Sequence, residues 1–572
     1  MFSNGMRGVS LVDVIVGSAL VLIIFLALFG LLRGSILISS LAKMKAGATA
    51  IANSQMEYMR SLPYDSVGTI GGIPAGLIAA TSTTVLNGTT YNVRTLVVYE
   101  DDPKDGLGAA DSNHITTDYK RVRVEVSYTA REQERDVVLI SNRAPIGLET
   151  TTGGGTLQVN VVNAVGAGVP GASVTIENSR TSPSIGVTTF SNADGIVYLP
   201  GAPTSTDYRI RVAKDGYSSA QTYARDATNQ NPSPGYLTVV GNQTTAGTFA
   251  IDALASLTLR TLFPKKATTT ADTFSSGAHI TDMTNAAVAG GALELANALG
   301  VYAASGSARS IPAAPSYLAA WTSASSDLAL PGGTTALVQV TDGSGTPLPD
   351  AALPGNGDGF SSFPIDLSGI STSTYPSLGL KATLATASTA TTPRVLDWTL
   401  AYEVGPIPVP DVAFTLLGTK AIGSTGAGAP IYKTAIDSAT DAAGIRSLEL
   451  EWDSYAFDVT GYDVIDACVQ PPFALSPGAT VDSALMLGPA TSHALLVSVR
   501  DAGGLPVEGA SVTLARGGYS ASVETSACGG AYFGGIASAN DYTVGIAKPG
   551  HASASFDGVA ASGTAFFTAA FE

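Results

Sequence analysis

From Val9 to Leu32 the chain is apolar almost without a break, VSLVDVIVGSALVLIIFLALFGLL. A helix of that run, about 24 residues and roughly 36 Å long, is enough to cross a bilayer. Beyond it the pattern changes. Leu37, Leu41, Met44, Ala48, Ile51, Met59 and Leu62 recur at three-four spacing, with Gln55 the polar exception. That spacing predicts one apolar stripe on a continuing helix. Pro63 ends it, because the residue before a proline is pushed out of the α region. The predicted helix, Val9 to about Leu62, is ~80 Å long.

After Pro63 the period falls to two. Strands are predicted at Thr89–Glu100, Asp118–Ala130 and Glu134–Ala144. In the middle one Val122, Val124, Val126 and Tyr128 share one face, and Arg121, Arg123 and Glu125 share the other, the mark of a half-buried antiparallel strand. The helix is therefore expected to pack on a small sheet within 63–149, and Gly153–Gly155 to form a linker.

The rest of the chain repeats itself. LQVNVVNAVGAGVPGASVTIE near 157–177 matches ALLVSVRDAGGLPVEGASVTLA at 494–515, and DYRIRVAKDG (207–216) matches DYTVGIAKPG (541–550). An ordered match over about 60 residues points to duplicated domains. A looser copy at 410–488 contains DVAFTLLG and TDAAGIRSLELEWDSYAFDVTGY. All three read as short strands with Gly-rich turns at sandwich-like spacing. Between them lies a unit at 251–404 with candidate strands LASLTLRTLF, TALVQVTD, LGLKATLAT and RVLDWTLAYE, expected to be a larger, jelly-roll-like sandwich. GPIPVP (405–410) is a stiff joint.

Composition fits that picture. The 572 residues include 63 Gly and 30 Pro, and charged residues are only 13%. Such a mix suits short strands and turns. The net charge of −16 repels phosphate, so no nucleic-acid partner is expected. The fold class is mainly β and multidomain: a long N-terminal α-helix packed on a small antiparallel sheet, followed by a string of β-sandwich domains.

The N-terminus carries the most specific motif. The basic leader MFSNGMRG ends in Gly8, the apolar run begins at Val9, and one carboxylate, Asp13, lies inside it. A lone acid in a membrane-length helix is costly and calls for a reason. An ordinary signal peptide has its small-residue cleavage site after the apolar stretch, whereas the cut suggested here precedes it. The arrangement resembles the type IV pilins and their secretion-system pseudopilin relatives. SQMEYMRSLPYDSVGT likewise resembles the stalk end of minor pilins.

The resemblance implies a leader at 1–8, cleavage after Gly8, methylation of Val9 and an assembly role for Asp13, where that family usually has Glu. It also implies a stalk helix at 9–62 and a pilin-like head at 63–149. The partners implied are a prepilin peptidase, other pilin subunits and the inner or cytoplasmic membrane. The repeats resemble the carboxypeptidase-regulatory-like (transthyretin-like) sandwich family, which gives domains at 156–250, 407–490 and 491–572. The leading expectation is a minor or specialised pilin-like subunit, membrane-anchored before assembly and then on the cell surface, contacting a surface ligand. The alternatives are a type II secretion pseudopilin and a membrane-tethered sandwich stalk.

Candidate chemistry is sparse. His114, His279, His493 and His551 are scattered, no nucleophile elbow or P-loop is present, and an enzyme is not expected. No cofactor is required, although the acidic loop with Asp101, Asp102, Asp105, Asp111 and Asp118 is a candidate calcium ligand set. Asp-Gly clusters more often only make turns. Cys468 and Cys528 fall in adjacent domains and suit one bridge between them. Tyr302, Trp321, Trp398 and Tyr402 could form a sugar-binding platform, though sandwich core is the commoner role.

Overall fold

A computed structural model describes residues 11–104, 106, 117–145 and 154–571, apart from the side chains of residues 11–14 and 17. The first element is one continuous helix, α1, Leu11–Ser61. Every position of the predicted stripe from Leu37 to Leu62 is buried or half-buried. Ala48 and Ala52 are fully covered, with Met56 and Met59 nearly so. They lie against a four-stranded antiparallel meander: β1 (Thr81–Leu86), β2 (Thr89–Glu100), β3 (Tyr119–Ala130) and β4 (Gln133–Arg143), in that order. Val122, Val124, Val126 and Tyr128 of β3 face the helix side and are buried, as the alternation requires. Strand β1 is exposed at all six positions, so it carries no alternation to read.

Two contacts fix the helix on this sheet. Tyr91 Oη donates to the Met44 carbonyl at 3.0 Å. Gly47 makes that approach possible, since a Cβ there would lie 2.6 Å from Tyr91 Oη. At the other end Arg143 donates to the carbonyls of Arg60 (3.0 Å) and Leu62 (2.8 Å). A cation at the helix C-terminus satisfies carbonyls without an intrahelical partner and meets the negative end of the dipole. The head also joins the next domain. Ile73 belongs to that domain's core, and Arg94 Nη2 donates to the Thr188 carbonyl at 2.7 Å.

Three sandwiches share one topology. In the first, Gly155–Val162 lies between Thr244–Ala250, parallel, and Ile196–Ala202, antiparallel. In the last, Ala494–Arg500 lies between Thr564–Ala570, parallel, and Gly530–Gly534, antiparallel. The facing sheets are built around Ser173–Asn178 and Ser511–Arg516.

The middle sandwich corrects the sequence-based boundaries. Its opening strand is Ala255–Phe263, which lies between Thr480–Pro489, parallel, and Ile445–Leu450, antiparallel. That strand, LASLTLRTLF in the sequence, was expected in the 251–404 unit; pairing places it in the 407–490 sandwich instead. Residues 264–406 are thus an insertion between the first and second strands of a host sandwich. Hydrogen bonds establish the equivalence. Val169 N–H donates to Val161 O (2.9 Å), Val409 N–H to Thr261 O (2.8 Å) and Val507 N–H to Val499 O (3.0 Å). A hydroxyl then accepts from the backbone in each copy: Ser191 from Ala172, Thr440 from Val412 and Thr525 from Ala510.

The insertion has its own core, including Phe274, Trp321, Trp398, Val338 and Leu380. Two sheets enclose it, one centred on Arg394–Val404 and the other containing Thr334–Asp342 and Leu378–Thr386. This double-sheet unit starts one strand later than the 251–404 unit expected from the sequence.

Candidate membrane and assembly helix

The first half of α1 touches no sheet. Among the described residues, the large side chains from Ile15 to Ile36 are exposed all the way round, with Ile15 at 58%, Val21 at 66% and Leu31 at 71%. A helix apolar on every side belongs in a membrane or inside a bundle of other helices, because water would leave its whole surface uncompensated. The segment is long and apolar enough to cross a membrane. Gly8 and Val9 lie outside the described residues. Asp13 is within α1, but its side chain is also outside them.

The second half of α1 is the core of the head, and that head also buries one charged side chain. Lys120 sits on the inner face of β3, only 2% exposed, and its Nζ donates to the Tyr64 carbonyl at 2.9 Å beside the Tyr64 ring. The period-two pattern did place position 120 inward, together with 122 and 124. That register was the available signal.

In the acidic loop, Asp118 Oδ2 accepts from Asp102 N–H at 2.6 Å, and Asp102 Oδ1 accepts from Lys104 N–H at 3.1 Å. These carboxylates shape a turn. Asp105 and Asp111 lie outside the described residues, and among those described no three His, Cys, Asp or Glu side chains form a metal cluster. Burial raises the pKa of nearby Glu100, opposed by Arg121.

Cys468 and Cys528 are bonded, with Cα atoms 4.5 Å apart, and Arg500 Nη2 donates to the Cys468 carbonyl at 2.7 Å. The bond crosses from the host sandwich to the last one. Elsewhere in the same joint a buried carboxylate, Asp463, gathers four donors. They are Thr491 N–H (3.0 Å), Thr491 Oγ1 (2.7 Å), Tyr532 Oη (2.6 Å) and Thr564 Oγ1 (3.3 Å). Burial, and then its bond to Asp463, pushes the Tyr532 phenol up to about 12. At the other face of the host, Lys433 Nζ pairs with buried Glu451 at 2.6 Å and donates to Ser219 of the first sandwich at 2.7 Å. Neither latch has a local sequence motif, because its members are far apart in the chain.

The aromatic platform does not form. Trp321 is 1% exposed and Trp398 3%, so both are core. His279, His493 and His551 stand in separate places. His279 is 4.0 Å from Asp272, His493 accepts from Gly563 N–H, and His551 packs on Phe571. His114 lies outside the described residues.

No protein-family model matches the chain, and no curated protein matches it. Among solved structures it is similar to the TIE protein of Bacillus anthracis, at 11% identity, covering 86% of this chain and 73% of that one, with a TM-score of 0.16. It is also similar to BcpA, the major pilin subunit of Bacillus cereus (9% identity, 73% and 99% covered, TM-score 0.14). A third is the major pilin SpaD of Corynebacterium diphtheriae (11%, 74% and 98%, TM-score 0.12). Scores this low carry no inference about a shared architecture or role.

Proposed function

We propose that the chain is a minor or specialised type IV pilin-like surface subunit. The observation that carries this reading is α1 itself. One unbroken helix leaves a largely apolar first half outside the fold and makes its second half the core of a four-stranded antiparallel head. In this reading the first half sits in the membrane after synthesis and in a bundle of subunit helices after assembly. A prepilin peptidase cuts after Gly8 and exposes the Val9 amine. Asp13 offsets that amine, its own or a neighbour's, where an unpaired charge would be costly. The sandwiches project outward toward a surface ligand. So large an extension tiles poorly along a filament, which favours a tip or sparse position.

Mass spectrometry of the mature N-terminal peptide from producing cells tests the reading. A peptide beginning at methylated Val9 is expected. An intact Met1 would favour a plain membrane tether instead.

A further inference from the structure

We propose that the sandwiches form a tension-bearing shaft and that residues 264–406 hang from it outside the load path. The inference goes beyond the pilin reading and does not depend on it. Its basis is the pairing of the first and last strands in each sandwich. The parallel ladders run Thr156–Val162 with Thr244–Ala250, Ser256–Leu262 with Thr480–Met486, and Ala494–Arg500 with Thr564–Ala570. Each has seven residue pairs.

Parallel pairing sets how force enters. The chain arrives at the start of the opening strand and departs from the end of the closing strand, at opposite ends of one ladder. Pulling on the chain therefore slides the two strands past each other. Hydrogen bonds in a parallel ladder are evenly spaced, so they are loaded together rather than one at a time. Had the two strands been antiparallel neighbours, entry and exit would lie at the same end and the ladder would unzip.

The junctions are short and held. Between the first sandwich and the host there are only Ile251, Asp252, Ala253 and Leu254. Ile251 N–H donates to Val162 O, Asp252 O accepts from Ser218 N–H, and Ala253 O accepts from Gly478 N–H of the host. Lys433 adds its bond to Ser219. Between the host and the last sandwich, the Asp463 cluster and the Cys468–Cys528 bond span the joint.

The insertion is attached differently. It departs after Phe263 and returns at Ile407, and those two residues are paired with each other. The next pair is Leu262 with Pro408, and Thr261 Oγ1 donates to the Val409 carbonyl at 2.7 Å. Both ends of the module are thus clamped to the far end of the host's opening strand. Tension crosses the host without crossing the module until that strand is pulled out. The module keeps its fold, and any surface it presents, while the shaft is strained.

Single-molecule pulling on the full chain in detergent micelles tests this. Azide-bearing residues serve as handles, one replacing exposed Glu134 in the head and one at the C-terminus. The insertion holds about 140 residues, so its unfolding lengthens the chain by up to ~500 Å. Every such step is expected to follow a host-sandwich rupture in the same trace. Traces in which it comes first would overturn the proposal. A second geometry moves the distal handle to exposed Gln243, beside the start of the first sandwich's closing strand. The same ladder is then peeled from one end, and its rupture force is expected to fall severalfold. An unchanged force would overturn the shear account, and neither readout depends on how the N-terminus is processed.

Discussion

The two halves of α1 are one helix serving two surroundings. From Ile15 to Ile36 large Ile, Leu, Val and Phe side chains point in every direction and are exposed. From Leu41 to Leu62 the apolar positions narrow to one stripe, and its buried members are Ala48, Ala52, Met56 and Met59. The difference teaches what each half must meet. Bulk on all sides suits surroundings that are apolar on all sides, either lipid or other helices. Small alanines on one side let a helix backbone approach a single rigid sheet, and methionines fill the irregular gaps left over. Gly47 marks the changeover, where the Tyr91 ring comes closest to the helix.

The comparison breaks most visibly by substitution on each side of the changeover. Ala52→Leu forces extra atoms into the packed core between helix and sheet and should cost the head about 1–3 kcal/mol. Leu28→Ala, at a position 61% exposed, should change head stability by less than about 0.5 kcal/mol. Hydrogen exchange of the β2–β3 amides in detergent reads both. Equal effects would mean that the two halves are not distinct environments.

A smaller effect sharpens the contrast from the far end of the molecule, where burial acts on charge. Burial raises the pKa of Asp466, opposed by Ser526, the Ala467 backbone and Arg500. A carboxyl whose folded pKa exceeds its unfolded value contributes most stability when protonated and loses that contribution as pH rises through the folded value. Wild type should therefore lose stability relative to Asp466→Asn as pH rises above the ordinary carboxylate range. The group is only half-buried, so the change should be small. Melting curves of the two proteins over that rise check it; wild type gaining stability relative to the variant as pH rises would reverse the assignment.

Much of this architecture was legible in the chain. The stripe from Leu37 to Leu62 and the alternation in β3 were local signals, and the helix and the sheet follow them. The nested host was not read, because Ala255–Phe263 pairs with strands roughly 190 and 220 residues away and nothing local announces that. A trace existed nonetheless. Pro408-Val409-Pro410-Asp411-Val412 aligns with Gly168-Val169-Pro170-Gly171-Ala172, which is the loop that follows an opening strand. A sandwich copy beginning at that loop must find its first strand upstream. The latches at Asp463 and Lys433 depend on the tertiary fold and could not be read before it. For Gly8, Val9 and Asp13 the motif itself is the basis, and their role stands as a proposal.

The central claim is that the exposed half of α1 passes from membrane to a bundle of subunit helices. A photo-crosslinking residue replacing Val21, 66% exposed, tests it in producing cells. Activation should yield covalent adducts with other subunits' helices in fibres sheared from the surface. Recovery of the chain only from the membrane fraction, with lipid adducts alone, would contradict the account.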